Sequence, residues 1–443
     1  MLGDYRIAGR RAAEIAASVE AGVGSGALEP GQLLPPMREL ASRLGVNPNT
    51  VAAAYRTLRE RGVIETAGRR GSRVRAKPAT TGRERFRVDV PAGVRDLSSG
   101  NPDPALLPPL AEAFAVAAAR GDRAPVLYGE ARVEPELARI ARAELEADGV
   151  PESPVVVTSG ALDAIERVLA AHLKPGDAVA VEDPGWGSVL DLVPALGLRI
   201  VPVGVDDEGP LPDDVARALT AGARALVVTC RAQNPTGAAI GAARARALKA
   251  VLAEHPGTLL IEDDHGHRIV DLTLHPLAGA TRHWAFVRSE AKAYGPDLRF
   301  AVLTGDAVTA DRVQGRQRLG PGWVSHLVQR AVVELWSGGS LDSAGVAAAY
   351  GRRRDALIAA LAEHGVAARG RSGMNVWVPV PDETGVVARL LHAGWAVAPG
   401  ARFRIGAAPG VRITVSRLLP EEAGELARAV ASVVGPGPVL RDV

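Results

Sequence analysis

Cysteine is almost absent from this chain of 443 residues, and long apolar runs are missing altogether. The single Cys230 excludes an internal disulfide framework and any metal site built from several cysteines. No uninterrupted apolar stretch is long enough to span a bilayer, and the N-terminus, with Asp4 and Arg6, lacks the apolar core of a secretory signal. The sequence therefore predicts a cytoplasmic protein.

Lysine is also scarce, because only four of the 52 basic residues are lysines and arginine is the default cation. One of the four, Lys292, lies three residues after Ser289 and seven before Arg299. An amine can attack an aldehyde cofactor and hold it as a Schiff base, whereas a guanidinium is too basic to lose its proton. The spacing therefore predicts a catalytic, imine-forming lysine beside two phosphate ligands.

The charge of the chain is unevenly distributed. Residues 1–77, here called the head, carry 13 Lys/Arg against 7 Asp/Glu, and the remainder carries 39 against 43. The length predicts two or three domains, and a basic head on an acidic remainder indicates a polyanionic partner for the head.

The head is predicted to form three short helices and a hairpin. Apolar spacing predicts helices over 10–23 and 37–44, a third begins after Asn47, and a hairpin with Arg69 and Arg70 at its tip follows. This order is that of a winged helix-turn-helix, whose third helix meets base edges while the basic wing reaches phosphates or the minor groove. The alternative is a small helical dimerisation module with a solvated basic hairpin.

Two motifs in the head carry a family resemblance. Residues 30–41 match Pro-Gly-x-x-Leu-Pro-x-x-Arg-Glu-Leu-Ala, and residues 46–58 match Val-x-x-x-Thr-Val-x-x-Ala-Tyr-x-x-Leu. Over residues 5–77 the chain closely resembles the GntR family of bacterial regulators, which implies that the head binds double-stranded operator DNA. The positions that the resemblance assigns to DNA contact are Arg38, Asn49, Thr50 and Gly71.

Residues 78–96 are predicted to be a linker, because they are polar, contain proline and show no sustained periodicity. Its length would let the head dock on another subunit.

From residue 97 to 443, here called the body, short apolar runs alternate with helical patterns. This alternation predicts an α/β fold, a mainly parallel sheet with helices on both faces. The predicted buried strands include residues 155–157, 178–181, 226–228, 259–261 and 301–303.

Several suggestive residues lie just after these runs, where ligands of parallel sheets bind. Ser159, Gly160 and Ala161 open a helix whose backbone N–H groups could cradle a phosphate. Trp186 lies at a loop tip and could stack on a planar ring, although packing at a domain seam is the alternative. Asn234, in a turn, could donate an amide hydrogen to a ring oxygen.

The acidic run at residues 262–267 is open to two interpretations. Carboxylates beside His265 and His267 could bind a divalent metal. The sequence shows no third ligand and no pattern of residues that would orient such ligands, so no metal is predicted. The preferred role for Asp263 is to pair with a protonated pyridine nitrogen, which makes the ring an electron sink.

The body, from about residue 97 to 435, resembles the fold-type-I aminotransferases, which use pyridoxal 5′-phosphate. The resemblance implies that Arg412 pairs with a substrate or effector carboxylate, that Tyr128 reaches the cofactor phosphate of the partner subunit, and that residues 330–435 form a small C-terminal subdomain. His265 stands where the family usually has a tyrosine that donates to the ring's phenolic oxygen, and it is predicted to bind the cofactor there, because a histidine can also donate a hydrogen bond although it can gain a proton near neutral pH. The residues that follow the family's order are Tyr128, Ser159, Gly160, Trp186, Asn234, Asp263, Lys292, Arg299 and Arg412.

A GntR-type head joined to such a body is the arrangement of the MocR subfamily of regulators. The resemblance implies a head-to-tail homodimer that holds pyridoxal phosphate on Lys292 and senses either that cofactor or an amine that forms an imine with it. A working aminotransferase with an attached head is the alternative, and a body that only dimerises the head is a third hypothesis. Effector, operator and the sign of regulation are left open by the sequence.

Overall fold

A computed structural model describes residues 5–24, 27–29, 31–60, 63–66, 71–74, 82–83 and 86–434. Within the head it contains three helices and a two-stranded sheet: α1 (Ala12–Gly24), α2 (Met37–Leu44), α3 (Pro48–Glu60), β1 (Ile64–Thr66) and β2 (Ser72–Val74).

Local chemistry explains where the head's helices end and begin. Gly45 adopts φ 65°, a left-handed conformation that stops α2. The side-chain oxygen of Asn47 accepts a hydrogen bond of 2.9 Å from the backbone N–H of Asn49, in the first turn of α3. The hydroxyl of Tyr55 donates 2.8 Å to the Pro35 carbonyl and so fixes α3 to the segment before α2. The residues that form the head's core include Ile15, Val19, Leu40, Val51, Tyr55 and Leu58.

The wing forms the two strands of the predicted hairpin, one on each side of its tip. β1 and β2 pair antiparallel, with Ile64 opposite Val74. The segment before α2 extends this two-stranded sheet, because Leu33 forms an antiparallel β-bridge with Arg73. The tip itself, with Arg69 and Arg70, lies outside the described residues.

The body contains a large sheet with helices around it. Its strands are β4 (Val155–Thr158), β5 (Ala178–Asp183), β6 (Arg199–Asp206), β7 (Gly209–Pro210), β8 (Ala223–Thr229), β9 (Leu259–Asp264), β10 (His283–Ser289) and β11 (Ala301–Gly305). Its helices are α4 (Ala111–Arg123), α5 (Pro135–Ala147), α6 (Ala161–His172), α7 (Gly187–Ala195), α8 (Pro212–Thr220), α9 (Ala242–Glu254), α10 (Ala307–Arg318) and α11 (His326–Ser337).

The eight strands follow the order β4-β11-β10-β9-β8-β5-β6-β7. β8, β9 and β10 run parallel, whereas β11 runs antiparallel to both of its neighbours, β10 and β4. Every residue of β9 is buried, and so is every residue of β5, which explains their continuous apolar runs. The carboxyl ends of the parallel strands therefore meet at one edge.

A second layer, here called the C-terminal layer, follows. It consists of α12 (Ser343–Glu363), β12 (Asn375–Pro379), α13 (Glu383–His392), β13 (Trp395–Pro399), β14 (Gly410–Thr414) and α14 (Ala423–Val434), together with β3 (Arg95–Leu97). The order of its four strands is β12-β14-β13-β3. Arg95 pairs with Trp395, so the sheet begins at the last but one residue of the predicted linker. Among the described helices none is both long and apolar enough to cross a bilayer.

Candidate functional site

A cavity of about 300 Å³ lies at the carboxyl ends of the body's strands. Ser159 and Asp263 adjoin it through hydrogen bonds to lining residues, 2.9 Å from Arg299 to the Ser159 carbonyl and 2.8 Å between Asp263 and His265. The structure thus brings together residues that are far apart in sequence. The predicted site residues that line the cavity are Gly160, Ala161, Trp186, Asn234, His265, Ser289, Lys292 and Arg299.

Lys292 follows β10 and extends its amine into this cavity. Its Nζ donates a hydrogen bond to the carbonyl of Gly100. Burial, with a smaller contribution from the charge of Arg412, lowers the pKa of Lys292 to about 8, although the Asp263 carboxylate acts in the opposite direction. A larger share of the amine is therefore neutral near pH 7 than in an exposed lysine, and the neutral amine is the nucleophile.

An anion-binding end is formed where α6 begins. Gly160 has φ 101°, a conformation that favours glycine, and Arg299 has φ 46°. The Arg299 Nη2 donates 2.9 Å to the Ser159 carbonyl. Ala161 and Leu162, the first residues of α6, line the cavity, and the start of a helix favours an anion. The Ser289 hydroxyl completes the set of donors along the cavity wall. Helix N-terminus, guanidinium and hydroxyl together suit a phosphate.

Asp263 and His265 form a buried pair at the end of β9. The His265 Nδ1 lies 2.8 Å from Asp263 Oδ2, and its Nε2 donates 2.8 Å to the carbonyl of Ala232. Burial disfavours the imidazolium, but the charge of Asp263 and its hydrogen bond outweigh burial and raise the pKa of His265. The other oxygen of Asp263, Oδ1, is buried with no hydrogen-bond partner among the described residues. That oxygen is available to a cationic ligand atom.

Arg412 lies on β14 and is buried. Its Nη1 donates 2.9 Å to the side-chain oxygen of Asn234, and its Nη2 donates 2.6 Å to the Ser98 carbonyl. Its guanidinium carbon stands 4.6 Å from the centre of the Phe403 ring. Burial, with a smaller contribution from the charge of Arg402, lowers the pKa of Arg412 to about 9, although the Asp96 carboxylate acts in the opposite direction. A buried cation whose described partners are neutral favours an anionic ligand.

Tyr128 lies apart from this cavity. It is 92% exposed and makes an edge-to-face contact with Trp323, with ring centroids 5.5 Å apart. Both residues line another cavity with Leu127 and His326. Within one chain, therefore, Tyr128 does not reach Lys292.

The acidic run at 262–267 does not converge on a point. Asp264 forms an ion pair of 2.8 Å with Arg231, whereas Glu262 accepts a hydrogen bond of 2.7 Å from the Leu277 backbone. No group of three His, Cys, Asp or Glu side chains suited to a metal ion occurs within the described ranges.

Sequence reasoning missed Ser98 and Gly100, whose carbonyls bind Arg412 and Lys292. The cluster of turn-forming residues over 98–104, directly before a helical pattern, was a usable signal of a functional loop. Missed lining residues are Leu162, Ser188, Ala291, Pro296 and Phe300.

In the head, none of the predicted DNA-contacting residues within the described ranges is buried. Asn49 and Thr50 lie in the first turn of α3, with Asn49 exposed and Thr50 half-buried. Arg38 is exposed on α2, and Gly71 is exposed at the start of the wing's second strand. The inner residues of α3 are buried instead, so the polar side of this helix is available.

Two known families match the chain. The bacterial regulatory proteins of the gntR family match residues 11–74, and the class I and II aminotransferases match residues 92–430. The chain belongs to the MocR subfamily of GntR-type regulators. This MocR-type regulator binds DNA through a GntR head, its body has the aminotransferase fold, and its cofactor is pyridoxal phosphate.

Similar proteins include regulators and enzymes. The vitamin B6 salvage pathway transcriptional repressor PtsJ of Salmonella typhimurium is 40% identical over 427 residues, which cover 95% of this chain and 98% of PtsJ. The pyridoxine biosynthesis transcriptional regulator PdxR of Corynebacterium glutamicum is 33% identical over 264 residues, covering 58% of this chain and 57% of PdxR. Aspartate aminotransferase from Thermus thermophilus, solved with maleate, has a TM-score of 0.67 and 28% identity over 77% of this chain and 91% of its own.

The residues of this MocR-type body fit pyridoxal phosphate. The cavity has a half-buried amine on one wall and an anion-binding end. The unpartnered Asp263 Oδ1 lies at the carboxyl end of β9 and suits a protonated ring nitrogen. The aromatic Trp186 lines the same cavity and suits a planar ring.

Proposed function

We propose that this regulator senses pyridoxal phosphate bound covalently at Lys292, and that occupancy of the site controls how the heads bind operator DNA. The observation that carries the proposal is the position of Lys292. This lysine has a lowered pKa and lies in a cavity lined by groups that can donate hydrogen bonds to a phosphate. The similarity to PtsJ over nearly the full length of both chains supports genes of vitamin B6 supply as the targets and repression as the mode.

Each part of the ligand has a matching group in the cavity. When bound, pyridoxal phosphate supplies an aldehyde that condenses with primary amines and a ring that accepts electrons. Lys292 would bind the aldehyde carbon, and Ser159–Ala161 with Ser289 and Arg299 would hold the phosphate. Asp263 would keep the ring nitrogen protonated, because a carboxylate favours the charged form of a neighbouring base.

The other side of the cavity supports a second ligand. Arg412 and Lys292 line a smaller recess of about 50 Å³ with Met374 and Asn375. The buried Arg412 guanidinium would pair with the carboxylate of an amino compound. This observation favours an amino acid as a further effector, and it also favours the second candidate function, a working aminotransferase. Turnover of an amino donor and a keto acceptor separates the two.

We further propose a head-to-tail homodimer in which Tyr128 reaches the cofactor phosphate of the partner subunit. Large apolar side chains are exposed beside it, Leu127 at 65% and Leu319 at 88%, and surfaces of this kind mark protein contacts. A monomer in sedimentation equilibrium at working concentration would contradict this. The site of action would be the cytoplasm, where operator DNA lies, with residues 78–96 as the linker between head and body.

DNA binding measured against rising pyridoxal phosphate tests the proposed function. A duplex recovered by the full-length protein from a random library serves as the probe. A change in affinity of about 5-fold to 150-fold is expected, the usual range of coupling between two sites. Equal affinity at all cofactor concentrations, with the cofactor bound, would refute cofactor sensing. Amino-donor turnover in the same preparation would support the enzymatic alternative.

A further inference from the structure

His265 has no ring hydrogen left for a ligand. Its Nε2 faces the Ala232 carbonyl, which can only accept, so this nitrogen carries a hydrogen. Its Nδ1 faces the Asp263 carboxyl at 2.8 Å, so one proton is shared between these two groups. Both nitrogens are thereby engaged, and the ring cannot also donate to the phenolic oxygen of a bound cofactor.

Ala232, the residue that His265 contacts, is itself hydrogen-bonded to the C-terminal layer. Ala232 adopts φ 56° in the left-handed region, and its N–H donates 2.9 Å to the hydroxyl oxygen of Ser372. That hydroxyl donates 3.0 Å to the carbonyl of Gly237 in the same loop. A Cβ on Gly373 would lie 2.5 Å from the Ala232 side chain. The segment before β12 therefore contacts the N–H group and side chain of Ala232, and His265 binds the carbonyl of the same residue.

We propose that His265 is a positioning residue that couples the cofactor cavity to the C-terminal layer through the chain Asp263, His265, Ala232 and Ser372. The inference rests on the proposed function, because it takes pyridoxal phosphate as the ligand of the cavity. It assigns His265 a role through Asp263 and a backbone carbonyl, in contrast to the direct contact with the ligand that the sequence predicted.

Occupancy reaches the Ala232 peptide through the Asp263 carboxylate. A cationic ring nitrogen bound at Asp263 Oδ1 would fix the carboxylate whose Oδ2 contacts His265 Nδ1, and so would fix the imidazole ring as well. The raised pKa of His265 favours the imidazolium, which forms a shorter, stronger hydrogen bond to a carbonyl than a neutral ring does. The bound state thus tightens the hold of His265 on the loop over 230–237. The charged groups that face His265 are Asp263 from β9, Lys292 from the segment after β10 and, across the recess, Arg412 from β14.

Amide hydrogen exchange in the full-length protein, with and without pyridoxal phosphate, tests this coupling. In the wild type, cofactor should slow exchange over 230–237 and 370–375 by about fivefold or more. In His265→Phe, absorbance should still report cofactor uptake, but the slowing should vanish. Ser372→Ala should keep wild-type uptake and lose the slowing over 370–375. Ser416→Ala removes another buried serine of the C-terminal layer and should behave as wild type.

A pH profile separates coupling from a merely structural role. The imidazolium is present below the raised pKa of His265 and lost above it. The cofactor-dependent slowing should therefore weaken in the wild type as pH rises above neutral, and His265→Phe should show no such trend. Wild-type slowing and pH dependence in His265→Phe would overturn the inference alone. A wild type that takes up no cofactor would overturn the proposed function and the inference with it.

Discussion

Arg412 and Asn234 are joined by a hydrogen bond of 2.9 Å from the guanidinium to the side-chain amide oxygen. The amide oxygen is thus occupied, so Asn234 can offer its NH₂ group to the cavity that it lines. The same bond orients Arg412 without neutralising it, because an amide carries no net charge. The pair therefore holds a cation ready for a ligand carboxylate.

Replacing Arg412 should affect amino acids and spare the cofactor. Arg412→Ala should weaken binding of an amino acid to the cofactor-loaded protein by about tenfold or more, since a buried charged hydrogen bond contributes roughly 1.5–3 kcal/mol. Absorbance titration measures it, with the decarboxylated amine as the matched ligand, whose affinity should not change. An equal loss of affinity for both ligands would show that Arg412 has only a structural role.

Cofactor attachment should follow the ionisation of Lys292. Because only the neutral amine attacks, the rate should rise with pH to a midpoint near the lowered pKa of Lys292, about 8, well below the 10.5 of a free side chain. Arg412→Ala removes a neighbouring cation and should move that midpoint upward. Stopped-flow absorbance at fixed cofactor concentration gives both values. A midpoint near 10 in the wild type would mean that burial does not act on this amine.

Gly160 should be needed at the phosphate end for two separable reasons. A Cβ there would stand 3.0 Å from Arg299 Nη2, and φ is 101°. Gly222 also has positive φ, 94°, with nothing within 4 Å. Gly160→Ala and Gly222→Ala should each cost about 1–2 kcal/mol of folding stability, but only the former should weaken cofactor binding. Thermal unfolding and absorbance titration measure the two effects. Equal cofactor affinity in both variants would remove Gly160 from the site.

Arg38 should contribute more to DNA binding than Arg43, although both lie on α2. Both side chains are exposed, but Arg43 forms an ion pair with Glu39, whereas Arg38 forms none among the described residues. Removing a cation that binds one DNA phosphate lowers the log–log salt slope by about 0.9, so Arg38→Ala should flatten the slope and Arg43→Ala should not. Fluorescence anisotropy across a salt series decides. Identical slopes for Arg38→Ala and wild type would contradict this orientation of α2.

The wing and the third helix should differ in what they contribute to DNA recognition. Arg69→Ala with Arg70→Ala should weaken binding to all sequences, because phosphates carry no sequence information, and Thr50→Ala should relax base preference. Anisotropy with the selected duplex and a scrambled duplex separates the two effects. A loss confined to the selected duplex in the Arg69 and Arg70 double variant would assign base reading to the wing.

The sequence was most informative where one residue type is chemically irreplaceable. Lys292 could be identified because lysine is rare and its spacing from Arg299 is typical, and the five buried runs correspond to strands. β10 was missed, although residues 284–287 form an uninterrupted apolar run between His283 and Arg288. The neighbours of His265 could not be predicted, since Ala232 is 33 residues away and its carbonyl carries no sequence signal. Backbone partners of this kind depend on tertiary packing alone.

The most direct test compares DNA affinity with and without pyridoxal phosphate in wild type, Lys292→Ala and Lys249→Ala. Lys249 is an exposed lysine on α9 and serves as the matched control. The cofactor should change DNA affinity by about fivefold or more in wild type and Lys249→Ala, and should have no effect on Lys292→Ala while leaving its cofactor-free affinity unchanged. An undiminished cofactor response in Lys292→Ala would contradict sensing at this lysine.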